Sequence, residues 1–355
     1  MVFSIFWAIS LNVILLYHKL LPGISSRYYK DQMFLTLSVI SLIVYGSKMS
    51  WKKVPVIFFV FVVLFNQWNP LSQNVFQQLV YFSVGAALFC QSLDQAPSEK
   101  KHLSQGLFVA LILSVFWSLL EYSGFQPLSL LSFLDARLIP TARTSHEHLH
   151  GILQNKMLSA GLIACLFPFC LKIRRAWMIP PTLFTVYTMH SATATVAVGV
   201  ILAAFAYRLF GWRVVAAIAL IFIGMIFAFD LIKFFDPGSR WDLWKYLIKT
   251  EPLTFWGKGL AYFSDTYRVI SYEEAGDPFS NPHNEYITAW LSFGLAGLFY
   301  LGYLMSKIRL ENIHFSACAM AIFTLALGSF PLHISSTCLI LILVYPHAIK
   351  TGVKT

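Results

Sequence analysis

The chain has 355 residues, of which 57% are hydrophobic and 12% charged, with a mean hydropathy of +0.67. A soluble domain carries about a quarter charged residues, so this composition excludes a soluble globular protein and predicts a polytopic membrane protein. The formal charge of +10 does not predict a nucleic-acid binder, because Lys and Arg fall in short clusters between apolar runs and form no stripe for a phosphate backbone to follow.

A helical span needs roughly 20 apolar residues, fewer inside a bundle. The hydropathy pattern predicts an all-α polytopic membrane protein of about twelve spans. They run at Val2 to Tyr17, Met33 to Gly46, Val54 to Trp68, Val75 to Leu93, Leu103 to Tyr122, Leu158 to Leu171, Trp177 to Thr188, Thr195 to Tyr207, Val214 to Leu231, Tyr286 to Met305, Phe315 to Phe330 and Ile334 to Ala348. The first lacks a basic n-region and a small-residue cleavage site, and reads as a retained helix. Residues 1–355 form one integral domain without internal repeats. The five cysteines all lie in apolar runs with no C-x-x-C pair, which predicts buried small hydrophobes rather than disulfides or a zinc site.

Short-loop Lys and Arg collect on the cytoplasmic side of a membrane. Lys48, Lys52 and Lys53, Lys100 and Lys101, Lys172, Arg174 and Arg175, Arg208 and Arg213, Lys307 and Arg309, and Lys350 and Lys354 all fall on one side of the twelve-span arrangement. The first loop, with Lys19, Arg27 and Lys30, is the exception. Both termini are then cytoplasmic, and two longer polar segments, 126–156 and 232–285, face outward between spans 5 and 6 and spans 9 and 10. The second is rich in Trp, Tyr and Phe, which predicts short amphipathic helices at the membrane surface rather than disorder.

Candidate chemistry concentrates in those outer segments. His283, in Asn281-Pro282-His283-Asn284-Glu285, offers an imidazole that can accept a proton near neutral pH. The competing reading is a helix start at which His283, Asn284 or Asn281 serves only as a cap. Nine residues after Asn284 come Gly294 and Gly297, three apart on one helix face, where they predict close approach of a neighbouring helix. Arg240, in Gly238-Ser239-Arg240-Trp241, is suited by its guanidinium fork to a phosphate, or to snorkelling toward headgroups. His146, His148 and His150 alternate beside Glu147 as metal ligands on a strand would, but no second cluster completes a site. There is no Asp-x-Asp for a metal-bound nucleotide sugar and no P-loop.

His283-Asn284, nine residues, then Gly294-x-x-Gly297 resembles the signature of the bacterial O-antigen ligases and, more loosely, of the wider O-antigen ligase and polymerase superfamily. Arg240 before an aromatic residue and Gly257-Lys258-Gly259 fit the same pattern, and Arg143, Gly151 and Asn155 match it loosely. The family's Ser-Arg pair between the seventh and eighth spans is replaced here by His190-Ser191-Ala192, so Arg143, Arg268 or His190 would take over the missing Arg's phosphate contact. The resemblance implies a metal-independent, inverting glycosyltransferase of the bacterial inner membrane, facing the periplasm and needing no cofactor. Its donor would be an undecaprenyl-diphosphate-linked glycan and its acceptor lipid A-core, in lipopolysaccharide synthesis, with membrane lipids around it and no nucleic acid. His283 would activate the acceptor hydroxyl, while Arg240, Arg143, Arg268, Asn284 and Asn155 would bind substrate. Polymerases and protein O-oligosaccharyltransferases share the pattern. A transporter or flippase is the rival class, against which stands the scarcity of acidic residues within the spans, Glu121 and Asp230 both lying near outer ends. A non-catalytic assembly protein would tolerate changes at His283.

Overall fold

The structure is a computed structural model, and it describes residues 2–16, 26–45, 73–95, 100–125, 151–217, 239–267, 282–329 and 335–349, less a few single positions within them, together with the single positions 53, 56 and 219. The described residues are helical, with one isolated antiparallel bridge between Ile308 and Ile349. In chain order the helices are α1 (Val2–Leu16), α2 (Ser26–Tyr45), α3 (Gln73–Gln95), α4 (Lys100–Tyr122), α5 (Lys156–Leu166), α6 (Ile179–Thr188), α7 (Ala192–Phe210), α8 (Ser239–Thr250), α9 (Tyr262–Thr266), α10 (Glu285–Lys307), α11 (Ile313–Leu325) and α12 (Ser335–Ala348). Ten of these helices overlap segments predicted as spans. The spans predicted at Val54 to Trp68 and Val214 to Leu231 lie largely outside the described residues.

Three helices, α4, α7 and α10, are long and apolar enough to cross a membrane, and six further apolar segments of the described chain are shorter. Large apolar side chains such as Ile43, Phe116, Tyr187, Leu209 and Phe299 are exposed, as lipid-facing positions are. Cys165, Cys170 and Cys318 are buried, Cys90 and Cys338 half-buried, and none of the five forms a disulfide.

Helix ends follow local chemistry. Asn155 caps α5 by accepting from the Met157 and Leu158 amides, and Ser191 caps α7 by accepting from Ala194 N. α5 tightens into a 3-10 turn at Phe167–Cys170, where Pro168 cannot donate. Pro180 and Pro181 occupy the first turn of α6, where no amide is needed. Thr182 and Thr185 bury their hydroxyls by bonding to Met178 O and Pro181 O one turn back.

The main core joins α1, α4, α5, α7, α11 and α12. The small-residue approach between helices occurs where α4 crosses α1. A Cβ on Gly106 would stand 2.4 Å from Ala8 Cβ, and Asn12 Nδ2 donates to Gly106 O at 3.2 Å.

Hydrogen bonds sort the connections between two ends of the bundle. At one end Lys100 Nζ donates to Asn312 Oδ1, Arg175 to Ser104 O, Arg309 N to Ala348 O and Asn312 Nδ2 to His347 O. At the other, Glu121 Oε2 accepts from Gly151 N, and α8, the α10 start and the turn after α11 meet. The basic end is predicted to be cytoplasmic. In a cysteine-free background, an impermeant thiol reagent applied to intact spheroplasts should label Cys placed at exposed Thr266 and spare Cys placed at exposed Ser306. The reverse pattern would invert the topology.

Candidate functional site

The turn that follows α11 organises this end of the molecule. Carbonyls at the end of a helix and in the turn that follows it need donors from outside the helix. Here Tyr286 OH donates to Phe323 O (3.1 Å), Glu285 N to Ala326 O (2.8 Å), Asn284 Nδ2 to Leu327 O (2.8 Å) and Arg240 Nη1 to Gly328 O (3.2 Å). The start of α10 and the first turn of α8 are thereby fastened to one stretch of backbone. Gly328 itself is pressed against the first turn of α7, since a Cβ on it would lie 2.4 Å from Thr193 Cγ2.

α8 is amphipathic and presents two faces to the site. Leu243 and Leu247, one turn apart, are buried with Ile287 and Leu291 of α10 and with Phe263 and Tyr267. On a neighbouring face, Arg240 reaches Gly328 O and Trp244, four residues on, donates from Nε1 to Pro282 O at 2.7 Å. Trp244 therefore holds Pro282, the residue immediately before His283. It was not singled out from the sequence, where it reads as one more interfacial aromatic; its spacing of four from Arg240 was the available signal.

His283 adopts φ 53°, a left-handed conformation that costs a non-glycine residue and is tolerated best by Asn, Asp and His. Its imidazole is pushed down to about 4, first by burial and then by the Arg240 guanidinium. The reading of a base titrating near its ordinary value is therefore corrected: the ring is neutral throughout the physiological range. Among the described residues no carboxylate pairs with Arg240, and Gly328 O is the acceptor its guanidinium uses. Burial pulls the guanidinium below its ordinary value, though it remains a cation at neutral pH.

Asn284, rather than His283, is the cap of α10. Its Oδ1 accepts from Tyr286 N and Ile287 N, and its Nδ2 is engaged by Leu327 O. Asn155 likewise spends its Oδ1 on the cap of α5. The cap at Asn284 is one of the alternatives the sequence left open, whereas the cap at Asn155 is structural work beyond the substrate contact expected of it. Arg143 and Arg268 lie outside the described residues, as do His146, His148 and His150. Among the described residues no three His, Cys, Asp or Glu side chains group as metal ligands would.

Gly294 and Gly297 have a role different from the expected one. α10 is broken at Gly294, with φ 62° and ψ −149°, and residues 254–259 enter the break. Lys258 N and Gly259 N donate to Leu291 O and Ser292 O, while Leu295 N and Ala296 N donate to Thr254 O and Phe255 O. These four bonds satisfy the backbone groups that the break frees, as an interruption in an apolar helix requires. A Cβ on Gly257 would stand 2.4 Å from Phe293 N, and one on Gly294 2.3 Å from Thr254 O, so a backbone strap replaces the expected helix neighbour. A Cβ on Gly297 would meet Phe293 Cβ at 2.6 Å and Ala289 O at 2.9 Å within α10 itself.

The strap is anchored by Glu251, which is buried. Lys258 Nζ donates to Glu251 Oε2 at 2.5 Å and to Tyr262 OH at 3.1 Å, and the Tyr262 and Tyr267 hydroxyls donate to Glu251 Oε1. The hydrogen bond to Glu251, ahead of that to Tyr262, raises the Lys258 ammonium above its ordinary value.

Because the folded imidazole of His283 binds its proton more weakly than the unfolded one, a sign follows. Between about pH 6.5 and about pH 4 the unfolded chain takes up the proton first, so this group costs stability as the pH falls through that window and nothing above it. His283→Asn should flatten the acid side of a melting-temperature profile between those values. An unchanged profile would mean that the ring is not held neutral.

No protein-family model, no curated protein and no solved structure matches this chain. Its helices are those of a membrane-associated helical protein, and beyond that the site must be read from its own residues.

Proposed function

We propose that the chain is a metal-independent, inverting glycosyltransferase of about twelve spans in a bacterial inner membrane. It would move a glycan from an undecaprenyl-diphosphate donor to a sugar hydroxyl on the periplasmic face. The observation that carries this reading is the juxtaposition of Arg240, a cation without a carboxylate partner among the described residues, with His283, a neutral imidazole. The pair sits at the end of the bundle opposite the described basic loops.

In this reading the acceptor hydroxyl oxygen attacks the anomeric carbon as the bond from that carbon to the diphosphate oxygen breaks. The hydroxyl proton passes to a ring nitrogen of His283, and the diphosphate leaves with its growing charge beside Arg240. The low basicity of the free imidazole is then adjusted by the substrate: a diphosphate at Arg240 offsets the guanidinium's field and makes His283 a better base once the donor is bound. The motif from His283 to Gly297 favours ligation to lipid A-core, with polymerisation of lipid-linked repeats or transfer to a protein hydroxyl as the alternatives.

The test is transfer from a lipid-linked donor by purified protein. Arg240→Lys keeps a charge but loses the two-pronged donor, and should weaken both donor binding and transfer by about tenfold or more. Activity should survive excess EDTA. Undiminished transfer by a folded Arg240→Lys variant, or an EDTA-induced loss that one divalent metal restores, would overturn the assignment.

A further inference from the structure

The end of the bundle remote from His283 carries a second group of cations. Lys172 Nζ donates to Ser104 Oγ at 3.0 Å, and Arg175 Nη1 donates to Ser104 O at 3.0 Å, with Ser104 Oγ and Phe169 O each at 3.4 Å. Two positive groups thus meet at one serine, which is itself buried. Among the described residues no carboxylate pairs with either. Burial pulls the ammonium of Lys172 below its ordinary value, and Arg175 adds to the effect; burial lowers Arg175 too. Like charges held together in a half-buried place repel, and an anion between them removes the repulsion.

The donors exceed the acceptors. An ammonium has three N–H groups and a guanidinium five, whereas the bonds to described residues come from Lys172 Nζ and one Nη of Arg175. α4 begins four residues before Ser104, so the positive end of its dipole lies on the same side.

The flank is apolar and faces outward. The Arg175 guanidinium lies 4.5 Å from the Phe108 ring centroid, and Phe108 meets Trp177 edge to face at 6.3 Å. Trp177 is 62% exposed and Ile173 96% exposed. An exposed Trp beside paired cations is the arrangement found where bilayer headgroups meet acyl chains. We propose that Lys172, Arg175 and Ser104 form a binding site for the phosphate of an anionic phospholipid, with its acyl chains against Trp177 and Ile173. A soluble phosphate would use the cations and leave that apolar flank without a role.

The measurement is lipid binding by native mass spectrometry, together with thermal stability of the full chain in phosphatidylcholine nanodiscs with and without phosphatidylglycerol. Wild-type protein should retain phosphatidylglycerol over phosphatidylcholine and melt higher in its presence. The double variant Lys172→Gln/Arg175→Gln should lose about tenfold or more of that preference. Arg174→Gln, which removes an exposed neighbouring charge, should keep it. Inorganic phosphate in the same range should not reproduce the stabilisation, and if it does so fully, with no further gain from the lipid, the lipid assignment falls. The preference is read as a ratio within each variant, so a general loss of stability cancels. Arg175→Lys, which keeps the charge, serves if the double variant does not fold, and should lose part of the preference. A wild-type protein with no preference for the anionic lipid, or a Gln variant that retains it, overturns the proposal.

Discussion

His283→Ala is expected to reduce glycan transfer by about a hundredfold or more, the usual contribution of a positioned base, while donor binding persists through Arg240. The structure separates this outcome from loss of a helix cap, because the cap of α10 is Asn284. It also supplies a control for the backbone. Ala at φ 53° bears a strain of about 1 kcal/mol or more, whereas Asn tolerates that region. His283→Asn should therefore melt near wild type and still fail to transfer. If His283→Asn transfers normally, the imidazole is not the base, and His283 serves only the turn that leads into α10.

The acid limb of the pH profile distinguishes the free protein from its donor complex. For kcat/KM the limb should lie near the free value of about 4, and for kcat it should lie higher, because bound diphosphate offsets the Arg240 charge. Coincident limbs would mean that Arg240 and the diphosphate do not meet.

Much of the bundle was legible in the sequence because apolar length alone defines a span. α4, α7 and α10 extend no more than three residues beyond either predicted end, mostly through polar or small residues such as Lys100, Lys101, Thr193, Glu285 and Lys307 that lengthen a helix without adding to its apolar run. What sequence periodicity does not encode is how a helix is interrupted. Gly294 and Gly297 read as a smooth face for a partner helix, since spacing of three is common to both situations. Only the positive φ at Gly294 and the pairing with 254–259 separate them. Gly257-Lys258-Gly259 was a weak signal alone, and it acquires meaning as the other half of the same joint, two glycines whose missing Cβ atoms face each other's backbone. The nine residues between Asn284 and Gly294 then have a physical account. They are the length of helix, ten steps or about 15 Å at 1.5 Å per residue, between the cap fastened to the α11 turn and the break held by the strap.

Gly294→Ala should be the most damaging single substitution in α10. Its φ and ψ belong to a region that is essentially reserved for glycine, and the three atoms a Cβ would meet, Thr254 O at 2.3 Å, Gly257 N at 2.5 Å and Phe255 O at 2.6 Å, are all backbone. No rotamer change relieves such a contact, so the strap must leave or the helix must straighten. Either event removes the four bonds between 254–259 and α10, at a cost of about 3 kcal/mol once strain and the partial repair by intrahelical bonding are weighed together. The consequence for the site is directional. Glu251, Lys258 and Tyr262 anchor the strap and Tyr267 stacks beside Phe263, so releasing it loosens the small core of Leu243, Leu247, Ile287 and Leu291 that sets α8 against α10, and with it the placement of Arg240 against His283. Gly297→Ala meets a side-chain carbon first and should be milder. Hydrogen exchange at the Lys258 and Gly259 amides, read with melting temperature and transfer, distinguishes the cases. Gly294→Ala should lose that protection and activity together, and a Gly294→Ala protein that keeps both would show that the break in α10 does not govern the site.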